Sequence, residues 1–262
     1  MTSVLQIGHS TFTAEEIIPL LVGYQIVPQL ICENIIDQAI APIQCTPQET
    51  AQAGQEFYQR WGLTYEDRRQ AWRSQYGLSQ EQLERMVTRK LRVEKFKQAT
   101  WGQKLDSYFL KRKGQLDRVI YSLIRTKDKG IANELYFRIN EGEQSFAQLA
   151  RAYSEGPEAE TGGLMGPVEL GTLHPTLAQL LHNSPVGQVQ PPVPLGEWQV
   201  IRRVEKLIPA QLDDFMRQRL LQENFEAWFK EQLNQLSQQE QMWMGATARH
   251  QVDTINNLAA AQ

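Results

Sequence analysis

Residues that usually carry covalent chemistry are sparse in this 262-residue chain. It has two cysteines, Cys32 and Cys45, and four scattered histidines. Two thiols cannot build a disulfide framework, and a structural zinc site would lack ligands. No nucleophile–base–acid triad, metal cluster or phosphate-cradling glycine loop can be picked out. Two local features stand out instead. Gly162-Gly163 permits a backbone conformation that a Cβ would obstruct, although a plain turn has the same signature. Pro191-Pro192 would keep the loop before the last strand rigid and cannot donate ladder hydrogen bonds.

Composition excludes several classes of function. Hydrophobic residues make up 41% and charged residues 22%, which fits a globular chain rather than a disordered or membrane-embedded one. The net charge of −3 offers no global field to recruit nucleic acid. Ile17 to Ile40 is the most apolar stretch. Gln25, Gln29, Glu33, Asp37 and Pro28 interrupt it, so no membrane insertion is expected. The N-terminus shows no signal-peptide pattern, and a cytoplasmic protein with reduced thiols is the expectation. Charge is uneven along the chain. Residues 1–59 hold six acids and no Lys or Arg, whereas residues 60–118 hold 15 bases and seven acids. Either these segments pack together and compensate, or the second presents a basic surface to an acidic partner.

The first 115 residues read as helix throughout, with no strand. Thr13 and Glu16 form a capping-box pattern opening a long helix over 14–40, kinked near Pro28. Thr46-Pro47-Gln48-Glu49 opens a second helix, to about Gly62. A third is expected over 65–76. Ser79 opens a fourth, with Leu83, Met86, Val87, Leu91 and Phe96 on its buried face. Helix continues over 105–113. The texture then changes. Residues 119–124 read as a strand and 131–140 as a helix. Ser145 caps a short helix to Tyr153, which Gly156-Pro157 ends. A glycine-rich turn follows over 161–166, then a short helix over 175–182 and a closing strand over 198–204. Beyond Pro209, Leu221, Phe225, Trp228, Phe229, Gln232 and Leu236 share one helical face. A lone helix cannot bury that stripe, so it must dock on the N-terminal helices.

The segment FAQLARAYSEGPEAETGGLMG, followed by GTLHP, PVGQVQPPV and WQVIR, resembles the parvulin-type (PpiC-like) peptidyl-prolyl isomerase domain. The flanking helices are similar to those of SurA- and PrsA-like chaperones. The resemblance implies an α+β parvulin domain inserted into an all-α helical domain. Its borders are a helical chaperone-like domain over 1–116, the isomerase domain over 117–206, a C-terminal helix over 207–244 packing on the N-terminal domain, and a disordered tail over 245–262. It also implies rotamase activity, an isomerase of X–Pro bonds working as a protein-folding catalyst. Its partners would be unfolded or proline-containing clients, and no cofactor or metal is needed.

That chemistry fits the sparse inventory. The barrier to rotation about an amide, about 18–20 kcal/mol, comes from resonance. A catalyst needs an apolar pocket for the prolyl ring and surroundings that favour the twisted amide. By resemblance, Met165, Leu173 and Leu177 would line that pocket, and Gly162 and Gly163 would belong to the substrate-binding turn. Tyr121 and Gln199 would hold the places of two family histidines. Gly156 falls where the family has Cys or Asp, beside Ser154 and Glu155. Tyr121, Ser154 and Gln199 would then surround the amide, with no titrating imidazole pair. The histidine replacements leave a second expectation open, a non-catalytic chaperone or adaptor that binds unfolded or proline-containing segments.

Overall fold

The computed structural model describes residues 3–244, the backbone alone for 3–7. The tail expected over 245–262 lies outside the described residues. The chain divides into two units, residues 1–105 with 218–262, and residues 106–217. The second unit is wider on both sides than the 117–206 segment whose texture set it apart.

The first unit opens with a hairpin, not a helix. β1 (Ser3–Ile7) pairs antiparallel with β2 (Ser10–Thr13). Gly8, at φ 59°, is the first residue of the two-residue connection, where a left-handed glycine matches the twist of the strands. The strong capping box at Thr13 masked this hairpin in the sequence. The long helix expected over 14–40 is two helices, α1 (Ala14–Gly23) and α2 (Val27–Ile40). The chain breaks at Gln25, with φ 57°, rather than at Pro28. Pro28 lies in the first turn of α2, where a missing N–H is harmless.

α3 (Pro47–Arg60) begins with Thr46 accepting the Glu49 N–H, and the helix after Ser79 begins likewise, with Ser79 accepting that of Gln82. α4 (Glu66–Tyr76) ends at left-handed Gly77, and α5 (Gln80–Trp101) is the longest helix in this part of the chain. Leu83 is buried on α5 as expected, but Met86 is exposed. The buried face turns instead through Thr88 to Lys97, whose ammonium bonds Glu94 and Gln222 and lies 5.1 Å from the Phe225 ring.

α6 (Leu105–Leu116) leads into the α+β unit. There β3 (Arg118–Thr126) is followed by α7 (Lys129–Asn140), α8 (Phe146–Tyr153) and β4 (Leu164–Glu169). α9 (Pro175–His182), β5 (Val189–Leu195) and β6 (Trp198–Ile208) complete it. The sheet is antiparallel, in the order β4-β3-β6-β5. β4 corrects the expected plain turn over 161–166. The glycine-rich run over 161–166 read as a turn, but its second half is extended, and β4 is an edge strand, where Pro167 is tolerated. β5 is the other edge, so Pro191 and Pro192 sit within a strand, at a register shift between Gln190 and Val193, rather than in a loop.

α10 (Asp214–Asn234) and α11 (Gln238–Met244) end the described chain. Phe225 and Phe229 of α10 and Met244 of α11 form one buried cluster with Cys32, Ile36 and Ile40 of α2, and Trp228 and Leu236 pack against it. The aromatic stripe therefore closes the core of the first unit. The acidic and basic segments also meet there, through Arg89 with Glu33 and Asp37, and Lys95 with Glu49. Among the described residues, no helix is long and apolar enough to cross a membrane.

Candidate functional site

Strand alternation sorts the sheet into two faces. β3 and β6 pair Tyr121 with Val204, Leu123 with Arg202, and Arg125 with Val200. These residues share one face. Val119, Tyr121, Leu123, Val200 and Val204 form a buried cluster there with Leu170 and with Leu177 and Leu181 of α9. Ser122, Ile124, Gln199, Ile201 and Arg203 belong to the opposite face. On that side Ile124 and Ile201 are buried with Leu135 of α7 and Phe146, Leu149 and Ala150 of α8.

The three apolar residues expected to line a pocket come together on the first face. Met165 is the cross-strand partner of Tyr121. Leu173 lies two residues before the start of α9 and four before Leu177. Met165 and Leu173 are half-buried and pack on the same cluster as Leu177 and Tyr121. Tyr121 is only 3% exposed, and its burial pushes the phenol pKa up, with Arg125 opposing and Glu158 assisting.

The polar residues are arranged differently from expectation. Gln199 pairs with Thr126 and belongs to the helix-covered face, so it does not join Tyr121. Its neighbour Trp198 does, packing on the Tyr121 cluster. The alternation of Trp198, Val200 and Val204 against Gln199 and Ile201 was the signal that could have made this assignment. Ser154 is near the site, but its hydroxyl is committed. It accepts the Arg125 N–H at 3.0 Å and donates to Glu158 Oε1 at 2.6 Å. Gly162 and Gly163 are buried against α8, not open to a ligand. At Gly163, φ 85°, a Cβ would stand 2.8 Å from the Leu123 carbonyl oxygen and 3.0 Å from the Phe146 ring. The glycine pair lets the turn approach β3 and α8, the turn reading that the sequence had left open.

Sequence reasoning missed an ion pair beside these residues. Glu158, 1% exposed, receives Arg125 Nε at 2.8 Å and Nη2 at 2.6 Å. Burial works to raise the Glu158 pKa, but the bonds from Arg125 and Ser154 outweigh it and hold the carboxyl below its ordinary range. The pair occupies the space a side chain at 156 would need. A Cβ on Gly156 would lie 2.3 Å from Arg125 Nε and 2.4 Å from Glu158 Oε2. A side chain at 156 would therefore have to displace this ion pair, and the Gly156–Glu158 spacing was its only trace in the sequence. Glu155 clamps the end of β3, accepting from the Thr126 hydroxyl and the Lys127 N–H. Among the described residues, no group of three or more His, Cys, Asp or Glu side chains could hold a metal ion.

Residues 124–205 match the family model described as the PPIC-type PPIase domain, or rotamase. The chain carries a parvulin-type domain. Its sheet and helices are those of the α+β unit, set between two parts of a helical unit. The chain is also similar to several solved structures. PrsA from Bacillus cereus is 19% identical, with 93% of this chain and 89% of that chain covered and a TM-score of 0.43. The parvulin domain of PpiD from E. coli is 28% identical, covering 38% of this chain and 97% of that one, with a TM-score of 0.33. A structure from the work on PEB4 and Cj1289, described as SurA-like chaperones of Campylobacter jejuni, is 16% identical, covering 89% and 94%, with a TM-score of 0.36. No curated protein matches the chain.

Proposed function

We propose that the parvulin-type domain catalyses cis–trans isomerisation of X–Pro bonds in protein clients, and that the helical unit holds those clients as a chaperone would. The observation that carries this reading is the convergence of Met165, Leu173 and Leu177 with Tyr121 and Trp198 on one sheet face. The apolar trio grips the prolyl ring. Desolvation there disfavours the polar, resonance-stabilised planar amide relative to the twisted one, which lowers the barrier without any covalent step. Tyr121 stays neutral and packs within the apolar cluster, whereas Ser154 holds the bend in place.

Exposed apolar side chains support a client-holding role for the helical unit. Ile18 and Val22 lie one turn apart on α1, and Ile26 and Leu30 one turn apart around the start of α2, and all four are exposed. Such surface on a folded unit favours contact with other apolar chains. Cys32 and Cys45 are not joined in a disulfide, which fits a proposed cytoplasmic, reducing setting. The replacement of both family histidines, which the resemblance places at Tyr121 and Gln199, favours a second reading, a proline-binding adaptor without turnover.

A protease-coupled isomerisation assay on X–Pro tetrapeptides separates the two. Enzymatic turnover by the full chain is expected. Binding of the same peptides without acceleration would establish the adaptor reading instead.

A further inference from the structure

We infer that Arg125 is the catalytic hydrogen-bond donor of this site, directing its Nη1 group to the prolyl nitrogen as the amide twists. The inference rests on the isomerase reading above and deepens it.

Three observations converge on Arg125. First, it shares the sheet face of Tyr121 and Leu123, opposite Val200 of the pocket cluster. Second, the other polar candidates are unavailable. Tyr121 is almost wholly buried, Gln199 belongs to the far face, and the Ser154 hydroxyl is committed to Glu158. Third, Arg125 is fixed yet not exhausted. Glu158 takes Nε and Nη2, and Nη1 has no protein partner among the described residues. The side chain is 28% exposed, and its Cζ lies 5.9 Å from the Trp198 ring centroid. The fork is thus held rigidly at the edge of the apolar cluster with three of its five N–H donors to spare, two of them on Nη1.

Chemistry selects the acceptor. A planar amide nitrogen has its lone pair delocalised into the carbonyl and accepts poorly. When the C–N bond twists, the lone pair localises on a pyramidal nitrogen and becomes a good acceptor. A donor aimed there binds the transition state and not the ground state, so it raises kcat without tightening KM. A donor to the planar carbonyl would do the opposite, because that oxygen loses charge in the twist. Glu158 and Ser154 are positioning residues that hold the guanidinium, and no proton is transferred.

The test is steady-state isomerisation of an X–Pro tetrapeptide by the full chain, followed by exchange NMR to obtain kcat and KM. Arg125→Lys keeps a cation for Glu158 but loses the planar fork. It should lower kcat about tenfold, the worth of one such bond at about 1.4 kcal/mol, with KM changed less than about twofold. Should that variant fail to fold, Arg125→Leu with Glu158→Leu removes both charges together and leaves no lone buried carboxylate. It should show the same loss in kcat. Lys127→Gln removes a nearby surface cation, 5.0 Å from the same Trp198 ring and paired to Glu197, and should match wild type. A folded Arg125 variant with wild-type kcat, or one that raises KM alone, overturns the assignment. So does an equal loss in Lys127→Gln, which would point to general positive charge. A wild-type chain that binds the peptide without turnover overturns the isomerase reading, and the assignment with it.

Discussion

The two faces of the four-stranded sheet are built from the same strands and differ only in which alternate residues they present. The helix-covered face is closed. Ile124, Ile201, Leu149 and Ala150 are fully buried under α7 and α8, and Gly163 brings the turn before β4 to close approach against Leu123 and Phe146. The other face is only partly covered, by the short helix α9, and leaves Met165, Leu173 and Trp198 half-buried at its border. Both faces bury an apolar core, and the second also keeps apolar surface available at its border. A side chain therefore acquires its role from its parity on a strand, and a shift of one residue exchanges the roles.

The comparison can be broken from the closed side. Leu149→Ala should leave a cavity and cost about 2–5 kcal/mol of unfolding free energy, read by chemical denaturation. A loss under about 1 kcal/mol would mean that this face is not the main source of stability. Gly163→Ala should cost about 1–3 kcal/mol, because its left-handed backbone and its closeness to the Leu123 carbonyl both resist a Cβ. The same measurement checks it, and an unchanged midpoint would refute the close-approach argument.

On the open face the effects should fall on binding instead. Leu173→Asp places a charge into an apolar border and should weaken proline-peptide binding more than tenfold while the domain stays folded. Peptide titration followed by amide chemical shifts reads both at once. Parity can be tested most sharply by restoring histidines. Tyr121→His combined with Trp198→His puts two imidazoles on one face, whereas Tyr121→His with Gln199→His divides them between faces. Both pairs should gain a pH dependence near the ordinary imidazole value of about 6.5 from the change at 121, and only the first pair should add a second titrating group on that face. The same profile from both pairs would show that the face assignment is wrong.

The smallest expected effect is that of pH on the native chain. Tyr121 has its pKa raised, mainly by burial, so its phenol remains neutral through pH 8. The lowered pKa of Glu158 keeps it ionised. Its contribution to stability is present above the unfolded value of about 4.3 and is lost as pH falls through the lower folded value. Turnover and unfolding free energy should therefore be nearly flat from about pH 6 to 8, with stability falling only in acid. A bell-shaped rate profile centred near pH 6.5 would reveal an imidazole at the site.

Much of the α+β unit was legible because its signals are local. Ser145 accepts from Gln148 at the start of α8 as the capping box implied, and Met165, Leu173 and Leu177 pack on one cluster. Features that depend on neighbours in space were not legible. Edge position rescued β4 and β5 from their prolines, and the ion pair of Arg125 with Glu158 fills the space beside Gly156. In the helical unit the stripe from Leu221 to Leu236 announced that it needed a cover, but only the fold supplies α2 as part of that cover. The N-terminal hairpin was hidden by a genuine helix signal immediately after it.

Exchange NMR on an X–Pro tetrapeptide with a catalytic amount of the full chain tests the central claim most directly. Uncatalysed interconversion takes tens to hundreds of seconds. The account predicts cis–trans exchange peaks at mixing times under about one second with the native chain, and their loss with Leu173→Asp. Peptide shifts that report binding at Met165, Leu173 and Leu177 with no exchange peaks would contradict catalysis. Exchange that survives Leu173→Asp would contradict the location of the site.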